Sequence, residues 1–347
     1  MKLLAAILMI LASAQGVLGG DFGSGAKGTT GAAFLTMGMG ARAVGMGGAY
    51  SAVAADASAV SWNPAGLVRA PEFSAMLMHA SYLADISFDY LSFAKSNGSV
   101  ALGGSLSFMN GGPVDHTDAS GASLGQYQPR NYAANFSLAA DLEVIGAEKG
   151  AFSAGVTAKY ISSTLIESAS AMAFDAGLSA KTELTGRTLR LAFVAQNLGA
   201  GMKFDKESDP LPLTFKAGGA LNLAKDWLIS ADVVAPRGNM PYLCSGVEHT
   251  AYNAGNMRVL LRFGANNYTM GDISGISGIS GGLGVVIKNM AVDYAIVPFG
   301  DLGLTHRLSL TMKFGGARND VVARVKPYGQ RVAKNNTGSA SLAYLFK

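Results

Sequence analysis

Residues 188–193 read Thr188-Leu-Arg-Leu-Ala-Phe193, with large apolar side chains at every second position. Successive side chains of a β-strand point to opposite faces of a sheet, whereas a helix repeats every 3.6 residues. The stretch therefore predicts a strand with one apolar face and one face that carries Thr188, Arg190 and Ala192.

The same alternation recurs along most of the chain, in segments separated by Gly, Pro and Asn. We predict fourteen strands, although shifted boundaries leave twelve or sixteen open. The pattern is weaker in the first two and in the tenth, where His79, Asp89 and Glu248 interrupt it. The predicted strands lie near 73–83, 86–95, 98–109, 131–143, 151–164, 169–183, 187–197, 211–223, 226–235, 241–250, 256–267, 279–288, 289–298 and 303–314.

The charged residues of these segments indicate what covers the apolar face. They fall on the other face, where a hydrated lumen tolerates them, whereas a Lys or Arg facing lipid at mid-bilayer costs ~2–4 kcal/mol. A soluble β-sandwich has the same period, but the low charged fraction of 14% favours a transmembrane β-barrel. The predicted lumen-facing charges are Lys159, Asp175, Lys181, Arg190, Lys216, Asp232, Arg258, Arg262, Asp293 and Arg307.

The two ends of the chain differ from the barrel segments. Met1 and Lys2 precede an apolar run and then small residues, so we interpret residues 1–19 as a secretory signal, cleaved after Ala14 or Gly19. Residues 316–347 are polar and basic, with six basic residues and one acid. This tail is a disordered periplasmic extension or a docking peptide.

Residues 20–70 carry no strand pattern and are rich in Gly, Ala and Ser. Glycine permits close backbone approach, and Asn63-Pro64 favours a turn. Because large apolar residues are few, we expect this segment to pack inside a larger unit, residues 71–315, as an N-terminal plug.

The chain shows no motif of an active site. The four histidines are scattered, so we expect no metal and no cofactor. The glycine-rich stretches lack the residues of a phosphate loop. The single Cys244 excludes an intrachain disulfide. We expect neither an enzyme nor a nucleic-acid-binding protein.

Three further stretches carry a family resemblance. Gly40–Asp56 reads GARAVGMGGAYSAVAAD, Ala59–Leu67 reads AVSWNPAGL, and Ala291–Gly315 looks like a pair of closing strands. With Gln196–Gly199, they resemble the PorV/PorQ family of outer-membrane proteins, which is similar in architecture to the FadL-type long-chain fatty-acid transporters.

The resemblance implies a 14-stranded barrel with an N-terminal plug. In the FadL type this plug carries an Asn-Pro-Ala motif, which Asn63, Pro64 and Ala65 match. The candidate plug and gate residues are Gly45, Gly47, Gly48, Asp56, Trp62, Asn63, Pro64 and Ala65.

These features predict an all-β protein of the bacterial outer membrane with both termini periplasmic, since the strand number is even. The longer breaks, 110–130, 199–210, 236–241 and 268–278, are expected to split between the two rims. The favoured function is a plugged transporter for hydrophobic or amphipathic small molecules. The alternatives are a type IX secretion-type subunit that binds protein cargo or periplasmic partners, and a permanently sealed structural barrel.

Overall fold

The computed structural model describes residues 22–142, 150–270 and 273–315. Its strands in chain order are β1 Phe73–Ser81, β2 Ser87–Ser96, β3 Val100–Asn110, β4 Val114–Thr117, β5 Ser123–Tyr127, β6 Arg130–Asp141, β7 Phe152–Thr164, β8 Ser168–Leu184, β9 Arg187–Gly199, β10 Met202–Lys203, β11 Ser208–Asp209, β12 Thr214–Ala224, β13 Trp227–Pro236, β14 Tyr242–Ala254, β15 Met257–Asn266, β16 Ile279–Ile287, β17 Met290–Pro298 and β18 Leu304–Phe314. The predicted signal peptide and the tail 316–347 lie outside the described residues.

Fourteen of these strands form a closed antiparallel barrel. Its order is β1-β2-β3-β6-β7-β8-β9-β12-β13-β14-β15-β16-β17-β18, and β18 pairs with β1 from Phe314 opposite Phe73 to His306 opposite Ser81. The predicted strand number is confirmed, and the predicted boundaries agree with the observed ones to within four residues. The period-two pattern predicts this fold well because every barrel strand has one face on the outside of the wall and one on the lumen side.

The two rims of the barrel differ in the length of their connections. We call the rim that holds residues 72 and 315 the terminal rim and the opposite one the loop rim. Hairpins 185–186, 225–226, 255–256 and 288–289 turn at the terminal rim, whereas 111–129, 200–213 and 267–278 cross the loop rim.

The expected split of the longer breaks between both rims is therefore wrong. All four lie on the loop rim. Antiparallel order places every break that follows an odd-numbered barrel strand on one side, and these four follow the third, seventh, ninth and eleventh barrel strands.

Two of the longer breaks contain short ribbons that the sequence did not predict. In the first, β4 pairs with β5, so Asp115 and His116 lie on a hairpin above the barrel rather than in an irregular loop. In the second, β10 pairs with β11.

The outward face of the wall is a continuous apolar band. Leu77, Phe93, Phe136, Phe174 and Phe263 are each 42–54% exposed. Soluble monomers rarely expose so large a contiguous apolar surface. The band fits a wall that faces lipid.

The three residues that interrupt the sequence pattern have different explanations. His79 and Asp89 lie on the outward face and share a hydrogen bond of 2.7 Å between Nδ1 and Oδ1, towards the loop rim. Glu248, by contrast, does not break the pattern. It points into the barrel, in phase with the buried Cys244 and Gly246.

The segment before β1 consists of short helical turns. It contains α1 Ala41–Gly45 and α2 Ala59–Trp62, with 3₁₀ turns at Ser24–Ala26, Ala33–Thr36 and Pro64–Arg69. A further 3₁₀ turn, Gly300–Leu302, lies in the last loop. No helix in the described ranges is long and apolar enough to cross a membrane.

Candidate functional site

The N-terminal segment lies within the barrel, because its backbone contacts strands all around the wall. The Ala41 amide donates to Ser309 Oγ of β18 at 2.8 Å, and the Ser230 hydroxyl of β13 donates to the Ala49 carbonyl at 2.7 Å. On another side, Ser153 of β7 donates to the carbonyl of the plug residue Ala65 at 3.0 Å. We call residues 22–72 the plug.

The motif Asn63-Pro64-Ala65 fixes one side of the plug to the barrel wall. The Asn63 side chain is fully buried, donates from Nδ2 to the Ser51 and Leu178 carbonyls, and accepts the Ala65 amide at Oδ1, 3.1 Å away. This is the N-cap of the 3₁₀ turn that Pro64 begins. Opposite, Gly177 leaves the space that Asn63 occupies, since a Cβ there would contact Oδ1.

A second close approach lies at Gly47. Its backbone has a φ of +67°, and a Cβ on it would come within 2.6 Å of the Ala265 amide nitrogen in β15. Gly264 has no room for a side chain on the facing wall either. Glycine on both surfaces lets the plug backbone touch the barrel backbone.

Trp62 forms the apolar centre of the plug. The ring is 5% exposed, its Nε1 donates to the Met39 carbonyl at 2.8 Å, and its centroid lies 5.6 Å from that of Tyr50. The Lys216 ammonium of β12 lies 4.7 Å from the ring centroid, in a cation–π arrangement.

A buried ionic network joins helix α1 to the wall. Arg42 donates to both carboxylate oxygens of Glu248, from Nε at 2.8 Å and from Nη2 at 2.7 Å. Glu248 also accepts Arg262 Nε at 2.6 Å, and Arg262 Nη1 donates to Asp293 at 2.8 Å. Glu248, Arg262 and Asp293 are almost fully buried, so each depends on its partners, whereas the Arg42 side chain is half-buried.

Asp56 ties the plug to the last strand. Its carboxylate accepts the Ser58 amide and hydroxyl, and lies 3.1 Å from Lys313 Nζ. Burial opposes the charge, but Lys313, the Ser58 hydroxyl and Arg42 outweigh it and lower the pKa of Asp56 to about 2.

The other predicted lumen charges lie as follows. Lys159 and Asp175 form a buried ion pair at 2.8 Å, and Lys159 also donates to Asn197. Asp232 accepts the Tyr50 and Ser51 amides of the plug. The remaining five differ in burial: Arg190 and Arg307 are buried, Lys216 and Arg258 are half-buried, and Lys181 is exposed at the terminal rim.

Three residues of the site were not predicted from the sequence. Arg42 lies in the quoted stretch Gly40–Asp56 and is the one basic residue in it, which is the signal that could have marked it. Glu248 was treated as an interruption, although its phase matches the lumen face. Arg69, which donates to Ser179 Oγ at 2.6 Å and to two plug carbonyls, carries no comparable signal.

The plug divides the lumen into two chambers. The terminal-rim chamber has a volume of about 380 Å³, and its charged lining residues include Arg42, Asp56, Glu248 and Arg258. The loop-rim chamber, of about 220 Å³, is bordered by Gly47, Gly48 and Trp62 from the plug side.

The described residues contain no group of three or more His, Cys, Asp or Glu side chains that could hold a metal ion. The described site offers ion pairs, hydrogen bonds and aromatic surfaces.

Residues 12–161 match a family described as "Uncharacterised protein family (UPF0164)". No curated protein matches the chain in sequence.

Among solved structures, the fold is similar to the P. putida toluene transporter TodX, with a TM-score of 0.54, 12% identity, and coverage of 80% of this chain and 99% of that one. The TodX monoaromatic hydrocarbon channel deltaS2 mutant gives 0.51 and 11%, with the same coverage. A Pseudomonas aeruginosa FadL homologue gives 0.45 and 13%, over 79% and 98% of the two chains. None of these three is named as a PorV/PorQ protein, so that resemblance stays a prediction. The two superpositions above 0.5 establish that this chain has the barrel fold of these channel proteins.

Proposed function

We propose that this protein is a plugged outer-membrane channel that passes small hydrophobic or amphipathic molecules. One observation carries the proposal: a plug with chambers on both of its sides lies in a barrel with an apolar outer band. The fold neighbours named as a toluene transporter and a monoaromatic hydrocarbon channel support it.

The unequal rims support an orientation. Outer-membrane barrels have short periplasmic turns and longer extracellular loops. The terminal rim, where four hairpins turn through two residues, is then periplasmic, and the loop rim, which has the three connections longer than ten residues, is extracellular. Both ends of the barrel segment lie on the periplasmic side in this arrangement.

We further propose that flux requires the plug to move at residues 45–49. Ala49 packs in a buried cluster with Cys244 of the wall. The variant Ala49→Cys therefore places a second thiol beside the native one. An oxidant that joins them would fix this part of the plug to β14.

The experiment compares uptake of labelled toluene into proteoliposomes before and after oxidation. Oxidised Ala49→Cys is expected to lose most of its flux and to regain it on reduction, with the crosslink scored by mass spectrometry. The double variant Ala49→Cys, Cys244→Ala is the matched control, because it cannot crosslink. Full flux in the crosslinked protein would contradict gating by this segment, and absence of flux in all forms would contradict the channel.

The secretion-type alternative depends on the tail 316–347, which lies outside the described residues. Pull-down of the full chain from membranes, with and without that tail, separates it from the channel. Recovery of secreted or periplasmic proteins only when the tail is present would favour the alternative.

A further inference from the structure

The loop-rim chamber has an aromatic wall and a small volume. Its rings come from both plug and barrel loops: Trp62, Tyr82, Tyr242, Tyr268 and Phe299. Tyr82 and Phe299 meet edge to face at 5.5 Å between centroids, and Tyr242 and Tyr268 lie 4.8 Å apart. At about 220 Å³, the chamber is smaller than the ~300–1,000 Å³ of typical ligand pockets. It suits a ligand of about one ring.

Arg307 of β18 lies in this chamber without a carboxylate. The residue is 5% exposed, and its Nε has no hydrogen-bond partner among the described residues. Its guanidinium lies 5.6 Å from the Tyr82 centroid, and Nη1 makes one long hydrogen bond, 3.3 Å, to Thr305 Oγ1. A buried cationic donor that lacks a partner loses hydration without compensation.

Lys216 contributes a second positive charge from another part of the wall. β12 and β18 are six positions apart in the fourteen-strand order, so the two cations face the lumen from opposite sides. The Asp232 carboxylate on neighbouring β13 accepts two plug amides. The described residues that line the chamber include Arg307 and Lys216 but no Asp or Glu.

In the terminal-rim chamber, three basic side chains differ from Arg307 because they have acidic partners. There Arg42 and Arg262 bind Glu248, and Lys313 binds Asp56. These three basic side chains of that chamber thus have acidic partners within the protein, whereas Arg307 has none among the described residues. An anionic ligand is therefore expected on the loop-rim side of the plug.

We propose that the loop-rim chamber binds a small aromatic monocarboxylate. The Arg307 guanidinium donates to the carboxylate, the ring packs against the aromatic wall, and the positive charge of Lys216 adds attraction across the chamber. The inference deepens the proposed channel function, since this chamber is the first one that a ligand from the loop rim meets. It narrows the substrate class from hydrophobic compounds to aromatic acids.

The test measures binding of benzoate and of its neutral analogue benzyl alcohol to the full chain in detergent micelles, by isothermal titration calorimetry. Benzoate is expected to bind at least about tenfold more tightly. Arg307→Gln should weaken benzoate by ~10–100-fold, as loss of a charged hydrogen bond does, and should leave benzyl alcohol nearly unchanged. Arg130→Gln is the matched control, because it removes an exposed arginine near the same rim.

A second variant keeps the test decisive if Arg307→Gln fails to fold. Lys216→Gln, at a half-buried position, should weaken benzoate severalfold without affecting benzyl alcohol. Equal affinity of wild type for the two compounds, or benzoate binding unchanged in either variant that folds, would overturn the proposal. Toluene flux without benzoate binding would overturn this inference alone, whereas benzoate binding without flux would overturn the channel alone.

Discussion

Arg42 of the plug and Glu248 of the barrel wall form a two-point ion pair, with nitrogen–oxygen distances of 2.8 and 2.7 Å. The pair joins residues 206 positions apart in the chain. It is the charged contact by which helix α1 is held, and both residues line the terminal-rim chamber. Its removal should show whether the plug stays in place by charge or by packing.

Glu248→Gln should destabilise the protein more than Arg42→Met does. The first change leaves Arg42 without a carboxylate and weakens Arg262, whereas the second leaves Glu248 with Arg262. Loss of one partner of a buried pair costs ~3–5 kcal/mol. Thermal unfolding in detergent measures the effect, and Arg187→Gln, an exposed arginine, is the control. Equal stability of Glu248→Gln and wild type would show that the network does not hold the plug.

Acid should weaken the contact between plug and β18 through Asp56. Its pKa is lowered in the folded protein, so the carboxylate contributes stability above the unfolded pKa, near 3.8, and loses that contribution as the pH falls towards about 2. The shift corresponds to about 2 kcal/mol. Asp56→Asn should lower stability at pH 7 and flatten its decline between pH 4 and 2. An unchanged decline in the variant would contradict this role.

Gly47→Val should disturb the plug and spare the barrel. A side chain there meets the Ala265 amide at 2.6 Å in a left-handed backbone conformation. Residues 22–72 should become sensitive to protease, and flux should change, while the barrel keeps its heat-modifiable mobility on gels.

Gly281→Ala is the control for that change, since its added Cβ would meet only Ile296 Cγ2 at an ordinary 3.7 Å. If the Gly47→Val variant showed wild-type protease sensitivity and wild-type flux, the close contact between plug and wall at Gly47 would be needed for neither.

A charged side chain on the outward face should lower the free energy of unfolding in a lipid bilayer. Phe263 is 54% exposed and lies midway along β15. Phe263→Arg should destabilise the protein in lipid bilayers by ~2–4 kcal/mol, as for arginine at the bilayer midplane. Equilibrium unfolding in vesicles measures this. Leu304→Arg, at the loop-rim end of β18, should cost much less, and equal costs at both positions would argue against a membrane wall.

The sequence predicted the barrel because alternation is a local signal that survives in each strand separately. Antiparallel order alone would also have placed the longer breaks on one rim, because 110–130 and 268–278 both follow odd-numbered barrel strands. The phase of Glu248 was hard to read because the inward residues before it, Cys244 and Gly246, are not polar and the outward Ser245 is not apolar.

The contacts between plug and wall could not be predicted, because they join distant residues of no fixed spacing. The motif Asn63-Pro64-Ala65 marked the right segment, but nothing in it identifies Gly177 or Leu178 as the facing wall. Likewise, Arg307 was expected in the lumen, while its lack of an acidic partner depends on which strands surround it. Which charged side chains meet across the lumen depends on the tertiary structure and cannot be read from the local sequence.

The most direct measurement of the central claim is the lipid exposure of the apolar face. Single cysteines at Phe263 and Leu260, in a Cys244→Ala background, carry a fluorophore in vesicles that contain brominated lipid. Phe263 points outward and Leu260 is buried within the barrel. Strong quenching at position 263 with little at position 260 is the predicted result. Equal quenching at the two positions, or none at 263, would contradict a wall covered by hydrocarbon.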